Sequence, residues 1–64
     1  MSTHAEDRKL LTVEEVAAIC RVPPATVYRW NHFGTGPPRI RIGRHVLYPL
    51  GDLWAWLDAR REDP

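Results

Sequence analysis

At 64 residues the chain has room for one small domain with one modest core, which excludes a catalytic domain beside a binding domain. A hydrophobic content of 44% with three Trp favours a folded module over a disordered tail, and the lone Cys20 excludes an internal disulfide. The formal net charge of +1 hides a segregation: no acid occurs from Val16 to Gly51, where Arg21, Arg29, His32, Arg39, Arg41, Arg44 and His45 all fall.

Residues 1–9 are polar, without apolar periodicity, and read as a disordered leader; 10–61 form the expected domain and 62–64 a C-terminal tail. Thr12 and Glu15 make a capping box, so a first helix should run from there to about Ile19 or Cys20, with Leu11 stapling its start. Val13, Val16, Ala17 and Cys20 recur at steps of three and four and give that helix one apolar face, with Glu14 and Glu15 at its positive end. Cys20 itself reads as a small buried apolar residue.

Pro23 and Pro24 cannot continue that helix, but a proline suits the first turn of the next one. A second helix is predicted from about Pro24 to Phe33, broken by Gly34, Thr35, Gly36 and Pro37. The link is only Arg21, Val22 and Pro23, with Val22 as the buried residue of a tight helix-turn-helix connection. After Pro38, Arg39 to Ile42 and His45 to Tyr48 alternate polar and apolar around Gly43-Arg44, predicting a two-stranded ribbon with a type II′ turn. Arg39 and Arg41 share one face of it, and Ile40 and Ile42 are expected to face the core. Pro49 ends the ribbon; Asp52 supports the start of a third helix reaching about Arg61, with Leu53, Trp56 and Leu57 as its core stripe. The fold class is mainly α with a small β-hairpin, in the order helix, helix, two-stranded wing, helix.

No paired carboxylates, nucleophile with a base, or Gly-rich phosphate loop is apparent, so the chain reads as a non-enzyme needing no cofactor. His4, His32 and His45 lack metal-ligand spacing, and Cys20 has no second cysteine, which argues against a metal site. The N-terminus has no apolar run of signal or membrane-spanning length, and a cytoplasmic protein without membrane contact is expected. The cationic block points to a polyanion, double-stranded DNA first, by Coulomb steering and counterion release. On the second helix Ala25, Thr26 and Arg29 share a side, with Val27 and Trp30 on another. Arg29 can donate twice to guanine, and Thr26 offers a hydroxyl and a methyl. The Tyr28 hydroxyl suits a phosphate, although a place at the core edge is nearly as consistent with its position. Arg44 stands at the ribbon tip, placed for a minor groove or its flanking phosphates, and His45 can add a phosphate hydrogen bond. Trp30, Val46, Tyr48, Trp56 and Leu57 read as core.

Four stretches now carry a resemblance: Leu11 to Ala17 (LTVEEVA), Ala25 to Trp30 (ATVYRW), Arg41 to His45 (RIGRH) and Asp52 to Leu57 (DLWAWL). Together they resemble the excisionase-type, MerR-like winged helix-turn-helix family across nearly the whole chain after residue 9, the combined spacing of TVYRW and RIGRH being the most specific element. The resemblance implies DNA contact at Thr26, Tyr28, Arg29, Arg41 and Arg44, with helix 2 in the major groove and the wing in the adjacent minor groove. It implies a recombination directionality factor that bends attachment-site DNA and assists a phage or plasmid integrase in excision. A small transcriptional regulator is the alternative within the fold, and a protein-interaction adaptor with a basic face the alternative outside it. Where that family carries polar residues on helix 3, this chain has Leu50 and Trp54, expected to lie exposed and to contact a neighbouring copy on DNA or the integrase.

Overall fold

Thr12 opens the first helix through the reciprocal bonds its sequence predicts. The Thr12 amide donates to Glu15 Oε1 at 2.8 Å, and the Glu15 amide to Thr12 Oγ1 at 3.2 Å. The computed structural model describes residues 8–62, and the expected leader lies outside them apart from Arg8 and Lys9. Its elements are β1 (Leu10–Leu11), α1 (Val13–Cys20), α2 (Pro24–Phe33), β2 (Ile40–Ile42), β3 (His45–Pro49) and α3 (Leu50–Ala59). This is a winged helix-turn-helix.

The turn between α1 and α2 is made by Arg21 at φ +61°, a left-handed conformation unusual for a residue with a side chain. There the Arg21 amide donates to the Ala18 carbonyl at 3.3 Å and the Val22 amide to that of Ala17 at 3.0 Å, satisfying carbonyls at the helix end. Val22 is half-buried against the core, and Pro24 starts α2 at once.

The expected two-stranded wing is present as β2 and β3, and a third strand, β1, adds to β3, so that the antiparallel sheet has the order β1-β3-β2. Leu10 pairs with Pro49 and Leu11 with Tyr48, and the Leu50 amide donates to the Lys9 carbonyl at 2.8 Å. Two residues are too few to show a period of two, so this strand left no local signal.

The wing faces are the reverse of those expected. Tyr48 is fully buried, so Val46, two residues before it, takes the same side and packs against the core. The register sets Arg41 opposite Val46, Ile40 opposite Leu47 and Ile42 opposite His45. Cross-strand partners share a face, so Ile40 and Ile42 point away from the core and are exposed, while Arg41 stands on the side of the helices. The period of two separated Arg from Ile correctly. Only the pairing with β3 decides which set faces inward.

The third helix begins at Leu50 rather than near Asp52, with no side-chain cap, and Asp52 falls in its first turn. Pro49, at φ −62° and ψ +131°, both ends β3 and enters α3, which removes the connector that was expected. The helix ends at Ala59; Arg60 and Arg61 follow with tighter i to i−3 bonds at 3.0 and 3.1 Å. Leu50 is half-buried against the core, not exposed, because the Lys9 carbonyl ties its backbone to the start of β1. Trp54, one turn later, is 50% exposed as expected.

The buried centre consists of Leu11, Val13, Val16, Ala17, Val27, Tyr48 and Leu53, with Trp30, Val46, Trp56 and Leu57 packed around it. Trp30 meets Trp56 at 5.3 Å between centroids, and the Arg60 guanidinium lies 3.9 Å over the Trp56 ring. The Gly34 to Pro38 connection folds over Trp30: Pro37 is fully buried, and a Cβ at Gly36 would come within 2.8 Å of Trp30 Cβ. Among the described residues no helix is long and apolar enough to cross a membrane.

Candidate nucleic-acid interface

The inner face of α2 is set by Val27, with no exposure, and by the half-buried Trp30 and Asn31. Spacing of three and four residues then leaves Ala25, Tyr28, Arg29 and His32 on the outer face, and all four are exposed. Tyr28 is 54% exposed, which resolves its sequence-level ambiguity in favour of the surface. Thr26 lies at the border of this face and is half-buried. His32 was part of the cationic block without being singled out as a contact; its place four residues after Tyr28 and three after Arg29 was the available signal. Its ring lies edge-on to Phe33 at 4.9 Å.

The wing presents Arg39, Arg41, Arg44 and His45, all exposed. Gly43 takes φ +60° while Arg44 does not take a positive φ, as a type II′ turn requires, and this puts Arg44 at the tip. Arg39 Nη2 donates to the Asn31 carbonyl at 3.5 Å, joining the base of the wing to the end of α2. The Tyr48 hydroxyl donates to Asn31 Oδ1 from the next strand. Burial pushes the Tyr48 phenol above its ordinary value, against the opposing effects of that hydrogen bond and of Arg39, so it stays a neutral donor. Asn31 is thus a junction between helix and sheet that sequence reasoning did not identify; nothing about a lone Asn in a helix signals a partner seventeen positions away.

Among the described residues the cations of α2 and the wing have no ion-pair partner. Among the described residues the one ion pair is Arg61–Asp58 at 3.3 Å, on the far end of α3, and Arg29, Arg41 and Arg44 have no side-chain hydrogen bond. Cys20 is half-buried with its thiol pushed up by burial, consistent with its reading as a small apolar residue. Leu50, half-buried, and Trp54, exposed, lie on α3 away from this set of cations in sequence.

An exposed helix face that follows a three-residue turn, beside a hairpin carrying arginines, defines a winged helix-turn-helix DNA-binding protein. A family model described as a helix-turn-helix domain matches residues 10–61, and the chain belongs to that family. No significant match appears among curated proteins or solved structures.

Proposed function

We propose that the protein is an excisionase, a recombination directionality factor that binds and bends attachment-site DNA and assists an integrase without itself catalysing strand exchange. The observation that supports this reading is that the exposed Tyr28, Arg29 and His32 face of α2 is joined by an exposed wing with Arg41, Arg44 and His45. With α2 in the major groove, Thr26 and Arg29 read base edges, Ala25 allows close approach, and Tyr28 meets the backbone. Arg39, Arg41, Arg44 and His45 grip the adjacent minor groove and its phosphates. A module of this size covers about 600–1,000 Å² of its surface on DNA, so occupancy gains from neighbours bound to repeated sites. Trp54, a large apolar side chain left half-exposed on α3, supplies the contact to a second copy or to the integrase.

Footprinting on attachment-site and neighbouring intergenic DNA, joined to an excision assay with the cognate integrase, tests the proposal. Protected repeats at the attachment site and integrase-dependent excision are expected. A footprint confined to a promoter, with excision unaffected by the protein, makes it a transcriptional regulator instead; absence of salt-dependent DNA binding returns the basic face to a protein partner. Trp54→Glu, folded by circular dichroism, should keep single-site binding and lose cooperativity on tandem sites. Retained cooperativity removes Trp54 from the interface.

A further inference from the structure

A cleft of about 270 Å³ lies between the first turn of α1, the recognition helix and the wing, and Glu14, Tyr28, Arg44 and His45 all line it. When α2 occupies a major groove and the wing the adjacent minor groove, the sugar-phosphate strand dividing the two grooves must pass between those elements. In that docking pose the cleft is the gap available to the strand. Its polar groups are mixed in sign: Arg44 and His45 can hold a phosphate, and the Tyr28 hydroxyl can donate to one, but the Glu14 carboxylate opposes it.

The Tyr28 hydroxyl is directed at an acceptor, Glu14 Oε2, in a long contact of 3.5 Å. Glu15, the other acid of that turn, is engaged differently: its carboxylate accepts the Thr12 amide at 2.8 Å and closes the capping box on its own helix. Of two neighbouring carboxylates, then, one caps α1 and the other lines the cleft and holds the tyrosine.

We propose that this cleft is a seat for one DNA backbone phosphate and that Glu14 is its gate. In the free protein Glu14 holds the Tyr28 hydroxyl. On binding, the hydroxyl passes from the carboxylate to the phosphate, and the repulsion between Glu14 and that phosphate lowers affinity for every sequence. Glu14 thereby limits how long a single module stays on DNA, leaving stable occupancy to base contacts and neighbouring copies. The inference rests on the DNA-binding reading above.

Fluorescence anisotropy with a random duplex and with the footprinted site, over a range of salt, tests it. Glu14→Gln should tighten binding to both duplexes about three- to tenfold and steepen the log-log salt slope by up to about 1. Glu14→Ala should do the same. Glu15→Gln is the control: it removes the same charge from the same turn and keeps a side chain able to complete the capping box, and its affinity should stay near wild type. Tyr28→Phe should weaken binding, and its effect should differ in the Glu14→Gln background, because the Glu14 carboxylate and the phosphate compete for the Tyr28 hydroxyl proton. Wild-type protein that fails to bind duplex DNA overturns the DNA reading itself. Wild-type binding with Glu14→Gln unchanged or weaker, in a variant of unchanged melting temperature, overturns the gate alone, as does an equal tightening by Glu15→Gln.

Discussion

The recognition helix and the wing face the same proposed ligand but are held by different means. The helix α2 is anchored from below by Val27, from the side by the Tyr48–Asn31 bond, and at its end by a connection seated on Trp30. All three residues of β2 are exposed, and that strand is held mainly by its ladder to β3. The difference teaches that changes around α2 disturb folding and binding together, whereas changes in the wing can alter DNA contact with the core left intact.

Two of the three positive-φ glycines, Gly36 and Gly43, test this contrast most sharply. Gly36, at φ +94°, sits 2.8 Å from Trp30 Cβ once a Cβ is built, so Gly36→Ala adds a clash with the core to a strained backbone. It should cost about 3 kcal/mol or more, seen as a lower denaturation midpoint in circular dichroism. A melt close to wild type would show that the connection is not clamped on Trp30.

Arg29→Ala, on the outer face of the same helix, should leave stability within about 0.5 kcal/mol while weakening specific DNA binding by about 1–3 kcal/mol. Relaxed preference at one or two base pairs is the expected signature, and equal losses on specific and random duplexes would reassign Arg29 to the backbone.

Gly43, at φ +60°, has open space around its would-be Cβ. Gly43→Ala should therefore cost only the positive-φ backbone strain of that turn position, about 1–3 kcal/mol, and less than Gly36→Ala. The reverse order would break the comparison between a clamped connection and a free wing. The smallest effect is expected at the tip: Arg44→Ala should leave the melt unchanged and lower the log-log salt slope by about 1. An unchanged slope takes Arg44 out of the interface.

Much of the fold was legible because its signals are local. The Thr12–Glu15 box, the prolines that separate α1 from α2, and the glycine at the wing turn each act within a few residues, and the elements they delimit match the structure closely. The outer α2 residues were also legible, since Val27 and Trp30 declare the inner side and helical spacing gives the rest. Thr26 shows the limit: spacing placed it beside Arg29, but packing leaves it half-buried at the edge of that face.

What the sequence alone determined is the order of helices and hairpin, the segregation of positive charge onto the middle of the chain, and the separation of arginines from isoleucines in β2. Tertiary structure decided the rest: that Leu10–Leu11 joins the sheet, that Ile40 and Ile42 face outward, that Leu50 packs inward, and that Glu14 meets Tyr28 across fourteen residues. Capping, helical spacing and turn chemistry depend on neighbours along the chain. Which face of a strand turns inward, and which carboxylate meets which hydroxyl, depends on partners brought close only when the core of Leu11, Val16, Val27, Tyr48 and Leu53 forms.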